Sequence, residues 1–191
     1  MSATSEVQIC SNALLLLGQN PISSFDDAGD SALLASNLWP TVRDAVLRSH
    51  PWNCAMKRVI LSPDVAKPAF DWPYAFSLPG DYLRVWTVGR RDDNPPEYEV
   101  EGGKILLNDA ICYLRYIFQQ TDITKYDAML ILALHSGMAA IFAYPITKSQ
   151  TEQDAMLKLH ISHLKLARTL DGQEGTGENS GVAELILARG F

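Results

Sequence analysis

Cysteine is scarce in this sequence, and charge of either sign is never concentrated. Three cysteines, Cys10, Cys54 and Cys112, are spread over 191 residues without a CxxC pair. That odd number and wide spacing argue against a disulfide framework or a zinc ribbon and fit buried, reduced thiols in a protein made in a cytosol. No long run of one charge sign occurs: the adjacent basic pairs are Lys57-Arg58 and Arg90-Arg91, and Asp92-Asp93 follows the second. With 22 acidic and 16 basic residues, a net charge of −6, the chain is poorly suited to broad docking on nucleic-acid phosphates or anionic lipid. The opening MSATSEVQIC has no basic n-region and no cleavage pattern, so no signal peptide is expected.

Catalytic signatures are missing as well. GxSxG, a Walker loop and GxGxxG do not occur, and GQEGTG lacks the preceding strand that would make it a phosphate cradle. Ser136 sits next to His135 in a helical segment, where sequence neighbours point about 100° apart and do not pair as nucleophile and base. His160-x-x-His163 has a spacing that can converge on one ion, but no carboxylate or further histidine completes the set at a second helical spacing. Asp26-Asp27-x-x-Asp30 offers hard oxygens without EF-hand spacing, which suits an acidic loop capping the following helix. A hydrolase using His160 or His163 with Asp26 or Asp30 is the weakest reading. No catalytic, cofactor-binding or metal-ligating residue is assigned, and no cofactor; the chain is read as not an enzyme.

Hydrophobic pattern is plentiful. Apolar residues make up 47% of the chain, enough for a substantial core. Residues 5–17 predict a helix capped by Thr4 or Ser5 and ended by Gly18 and Pro21, with Ile9, Ala13, Leu16 and Leu17 on one side and Leu14 and Leu15 widening the stripe. A second helix is expected after Asp30, with Leu34, Leu38, Val42, Ala45 and Val46 on one face and Pro40 bending or dividing it. Arg43 and Arg48 then fall on other sides, too thinly basic for a DNA-recognition helix. Residues 53–118 read as short strands: KRVIL, two pieces joined by Pro79-Gly80-Asp81, a YEVEGGKILL hairpin turning on Gly102-Gly103, and CYLRYIF. Tyr82, Arg84, Trp86 and Val88 are expected on one face, and Cys112, Leu114, Tyr116 and Phe118 likewise.

Two helices follow. Residues 128–144 carry no Asp, Glu, Lys or Arg. This run is shorter than the ~20 residues of a membrane span, so it predicts a helix buried in protein, with Thr124 and Asp127 as a capping box and Pro145 as its stop. A helix apolar on all sides must be covered on all sides, and another copy of the chain is one available cover. The last helix starts near Ser149, with Met156, Leu159, His160, His163, Ala167 and Leu170 on one face. Residues 171–181 read as flexible, and VAELILARGF after them as an apolar segment that docks on this chain or a neighbour.

The fold expected is therefore α+β. A four-helix bundle-like domain (1–52 and 119–172) holds an inserted small antiparallel β domain (53–118), and a flexible C-terminal arm covers 173–191. Pro51 takes His50 out of helical geometry, and Trp52 is expected at the seam of helices and sheet with its N–H bonded outward.

The order of motifs resembles one known group. AVLRSHPWNCAMKRVIL, YAFSLPGDYLRV, YEVEGGKIL, LRYIF, the D-x-T-x-x-D turn and a small-residue helix ending AYPITKS are similar, in that order over roughly residues 5–172, to the tail tubular protein A family of short-tailed bacteriophages. The resemblance implies a structural virion protein, the head-to-tail adaptor. It implies a ring of generally twelve copies, contacting the portal protein on one side and the tail nozzle protein on the other. DNA would pass through the ring without sequence specificity, and no membrane would be involved. Such a protein would be made in the host cytoplasm and end in the tail or neck of the virion. The alternative reading is a small DNA-binding regulatory protein, which requires a compact basic face that the sequence does not display.

Overall fold

The Ser5 hydroxyl accepts the Gln8 amide at 3.2 Å and opens α1 (Glu6–Leu16), which Gly18 closes with a φ of 68°. The computed structural model describes residues 5–91 and 94–174. Ile9, Ala13, Leu14 and Leu17 of the expected stripe are buried, together with Cys10, but Leu15 and Leu16 are exposed.

Helix α2 (Asp30–Arg48) runs undivided through Pro40. The proline lies on the exposed side, where its missing amide costs one bond that water can replace at the orphaned carbonyl. The buried face is also rotated from the one expected. Ala32, Ala35, Trp39, Val42, Arg43, Val46 and Leu47 face inward, Leu34 and Leu38 are half-buried and Ala45 is exposed. Trp39, the largest side chain of the helix, decides the rotation.

The strands are β1 (Met56–Leu61), β2 (Tyr74–Ser77), β3 (Tyr82–Val88), β4 (Tyr98–Glu101), β5 (Lys104–Leu107) and β6 (Cys112–Phe118). They form two antiparallel three-stranded sheets, ordered β1-β6-β3 and β2-β5-β4. Pro79-Gly80-Asp81 does connect β2 and β3, yet the two belong to different sheets. Gly102 and Gly103 make the β4–β5 turn with φ of 54° and 77°, as the hairpin requires. In β3 the expected alternation fails. Register shifts between Tyr82 and Arg84 and between Val85 and Thr87 add a residue each, so Tyr82, Val85 and Val88 lie opposite Phe118, Tyr116 and Leu114.

Helix α3 (Ala128–Thr147) is capped by Asp127, which accepts from the amides of Met129 (2.6 Å) and Leu130 (3.1 Å). The expected Thr124–Asp127 box does not form, because Asp122 takes Thr124 into a separate 3-10 turn over Ile123–Lys125. Nor does Pro145 stop the helix. Pro145 and Ile141, whose carbonyl it leaves without a partner, are both exposed, and the helix continues to Lys148 at φ 56°. At 20 residues α3 is long and apolar enough to cross a membrane, but 56% of its most apolar window is buried within this chain. Helix α4 (Gln150–Gln173) begins with Ser149 accepting the Glu152 amide at 3.2 Å. Of its expected face, Leu170 is exposed; Asp171, read as part of a flexible segment, is helical and buried instead. The arm expected over 173–191 lies, from residue 175 onward, outside the described residues.

Two hydrophobic cores result. The first gathers α1, α2, α3 and Ala167 of α4 around Trp39, Trp52, Leu130, Met138 and Phe142, and includes Ile117 of β6. The second lies between the two sheets: Cys112, Leu114, Tyr116, Phe118 and Val88 on one side, Phe76, Ile105 and Leu107 on the other. Strand β6 contributes to both, since alternate side chains point to opposite faces. The chain is thus α+β, with four helices and two small antiparallel sheets among the described residues.

Candidate interaction surfaces

Most of the polar residues singled out from the sequence are committed to internal bonding. Ser136 is fully buried and donates to the carbonyls of Leu132 and Ala133, both at 3.1 Å. His160 Nδ1–H donates to the Ala133 carbonyl at 3.0 Å, and Asn12 Nδ2 donates to His135 Nε2 at 3.4 Å. Burial first, and His163 nearby, hold His135 below the ordinary imidazole range; His160 is lowered by burial too, against the Ala133 bond. His163 Nδ1 is buried with no partner. Among the described residues no group of three or more His, Cys, Asp or Glu is placed to hold a metal ion. Asp27 accepts the amides of Ser23 (2.6 Å) and Ser24 (3.1 Å), while Asp30 is the first residue of α2 behind the N-cap Gly29. Burial raises the thiols of Cys10 and Cys54 to about 12 and that of Cys112 to about 11, which leaves them protonated.

The arginines of α2 are committed as well. Arg43 is only 6% exposed, with its Nε 2.8 Å from Asp44 Oδ1 and Nη1 3.8 Å from Glu6 Oε1. Arg48 donates to the Leu83 carbonyl of β3. Arg43 is thereby withdrawn from the surface, whereas Arg48 stays exposed.

The joint between α2 and β1 is built on the SHPWN stretch. Trp52 is fully buried, and its indole N–H does not point outward: it donates to the Val46 carbonyl at 3.0 Å. Ser49 Oγ donates to the same carbonyl at 2.6 Å, so the helix end is satisfied from within. Asp171 closes the joint from α4. Its Oδ1 accepts the Asn53 amide (3.1 Å), its carbonyl accepts Asn53 Nδ2 (2.9 Å), and its Oδ2 lies 3.1 Å from His50 Nε2. Sequence reasoning missed this residue. Its signal was a spacing of four from Ala167 on the buried side of the helix, masked by the Gly- and Glu-rich run behind it.

What the chain presents outward is surface divided by charge. β1, β3 and β6 contain no Asp or Glu, and they carry Lys57, Arg58, Arg84 and Arg115. Lys57, itself exposed, donates to Asp81 Oδ2 at 2.6 Å, and Tyr116 donates to Asp81 Oδ1 at 3.0 Å. Burial pushes the Asp81 carboxyl up, but these two bonds outweigh it and leave it below the ordinary range. The arginines turn away from the core. Arg58 and Arg115 are direct cross-strand partners, Arg90 lies 4.5 Å from the Tyr113 ring centroid, and Arg84 lies 5.7 Å from that of Trp86. Among the described residues, strand pairing therefore brings together arginines that are far apart in the linear sequence. The opposite character holds on β4, whose charges are Glu99 and Glu101 and whose four residues are all exposed.

Apolar surface is also left open on the helices. Leu157, Ile161, Leu166 and Leu170 of α4 are exposed on both flanks of its packed side, as are Ile141 and Tyr144 of α3.

No known protein family matches the chain, and no characterised protein matches it in sequence.

Proposed function

We propose that this chain is a structural virion protein: a ring-forming head-to-tail adaptor between the portal and the tail nozzle of a short-tailed phage. About twelve copies surround the passing DNA without reading its sequence. In this reading the helices of 1–52 and 119–172 act as one bundle, and 53–118 is an inserted β domain. The motif order that resembles the tail tubular protein A family supports it. The observation that carries it is the apolar surface of the α3–α4 pair that stands exposed among the described residues. An isolated exposed leucine is ordinary, but apolar side chains on both flanks of one helix are suited to further chains.

Mixing the chain with portal rings of its phage and imaging by electron microscopy tests this. The expected result is a stoichiometric complex with a second ring seated on the portal; no complex at any mixing ratio overturns the reading. The arginine face favours a second reading, a small DNA-binding regulatory protein. That reading requires a gel shift that weakens steeply as salt rises.

A further inference from the structure

Two edge strands of the chain carry opposite charge. β1 borders β6 at the edge of one sheet, and its charged residues are Arg58 and Lys57, the latter paired with Asp81. β4 borders β5 at the edge of the other, and its charged residues are Glu99 and Glu101. Each edge has an apolar component in the open: Ile60 is 66% exposed on β1, and Tyr98 and Val100 are 39% and 44% exposed on β4.

On the β1 side, Arg58 and Arg115 are direct cross-strand partners, so pairing sets two guanidinium groups on one face of the sheet. Beside them is a groove of about 360 Å³ lined by Arg58, Ile60, Gly89, Arg91, Tyr113 and Arg115, with no acid among the described residues of its wall. Arginine and tyrosine around an exposed aliphatic are the residue types that dominate contact energy between proteins. The β4 side also borders a groove, of about 460 Å³, lined by Asp71, Glu99 and Glu101 beside Phe70, with Lys67 and Lys104 also in its wall. Its Lys104 is held by Asp64 at 2.7 Å.

We propose that the β1 edge and arginine face of one copy dock on the β4 edge of the next copy. This rests on the ring reading above and names the contact that builds the ring. Charge excludes the alternatives: β1 against β1 sets arginine on arginine, and β4 against β4 sets glutamate on glutamate. The unlike pairing is attractive, and it joins two different surfaces of the chain. Such a head-to-tail contact repeats from copy to copy and closes into a ring when the rotation allows. A second copy suits the face better than a polynucleotide, because its acidic counterpart is on the same chain and the net charge of −6 repels a polyanion. Placing the arginines between copies also keeps them off DNA passing through the centre.

The test is sedimentation of the full chain at low and high salt, with two double variants, Arg58→Glu/Arg91→Glu and Glu99→Lys/Glu101→Lys. All four side chains are exposed. The wild type is expected to associate with rising concentration at low salt and to return to the single-chain mass at high salt. Each variant alone should weaken association at least tenfold. An equimolar mixture of the two should restore it, because each variant retains the surface that the other's intact surface binds. A wild type that stays at single-chain mass at low salt, or association indifferent to both variants, overturns the contact. Portal-bound rings that still form from either variant alone would sink the contact while leaving the adaptor reading intact. A labelled oligonucleotide bound by the wild type and by the glutamate variant, but not by the arginine variant, with no self-association, would assign the face to a polyanion and overturn the proposal.

Discussion

Asp171 is the residue on which the joint between helices and strands depends. A buried carboxylate is tolerated where several donors meet it, and Asp171 has the Asn53 amide at 3.1 Å and His50 Nε2 at 3.1 Å. Replacing it with alanine leaves the Asn53 amide and the imidazole short of a partner. The expected loss is about 2–3 kcal/mol, read as a lower urea midpoint at unchanged slope. The histidines between α3 and α4 give a pH dependence. Burial holds His135 and His160 below the ordinary imidazole value, so the unfolded chain takes up protons first as pH falls. Stability contributed by the neutral forms is complete above the unfolded value near 6.5 and declines below it, until the folded-state values are reached. Urea midpoints should therefore fall between pH 7.5 and pH 5.5, and His160→Gln should reduce that slope.

At the scale of elements, α3 is closely approached at Gly137. A Cβ there would lie 3.0 Å from His160 Cε1 and 3.5 Å from Val42 Cγ1, so α3 is gripped by α4 on one side and α2 on the other. Gly137→Val should cost about 2 kcal/mol in urea denaturation despite valine's better helix propensity than glycine. Much at this scale was legible in the sequence. Apolar periodicity located all four helices, Ser149 with Glu152 marked the start of α4, and Gly102-Gly103 fixed a hairpin. What escaped was non-local. The partner of a strand is not written in the strand, so β2 and β3 looked like neighbours although they lie in different sheets. The arginine face escaped for the same reason, its members being scattered from Arg58 to Arg115. The rotation of α2 depended on where Trp39 finds its cavity, which tertiary packing decides. Proline was over-read as a helix breaker at both Pro40 and Pro145, where exposure lets water replace the lost bond.

The whole molecule is organised about β6, whose Ile117 enters the helical core while Leu114, Tyr116 and Phe118 fill the space between the sheets. Two cores joined through one strand should unfold together. Ile117→Ala is expected to cost about 3 kcal/mol. Its unfolding should stay a single transition, with tryptophan fluorescence from both halves and far-UV circular dichroism giving the same midpoint. Separate midpoints would show that the cores melt independently.

The clasp on Asn53 reaches across 118 residues of sequence. During synthesis, the SHPWN joint is made long before the aspartate that secures it, and it must wait, half-closed, until α4 has emerged from the ribosome. Contacts this distant in sequence form late. A nascent chain arrested short of residue 171 would therefore hold its helices and its sheets without fixing the angle between them, and only the final turns of α4 would set it.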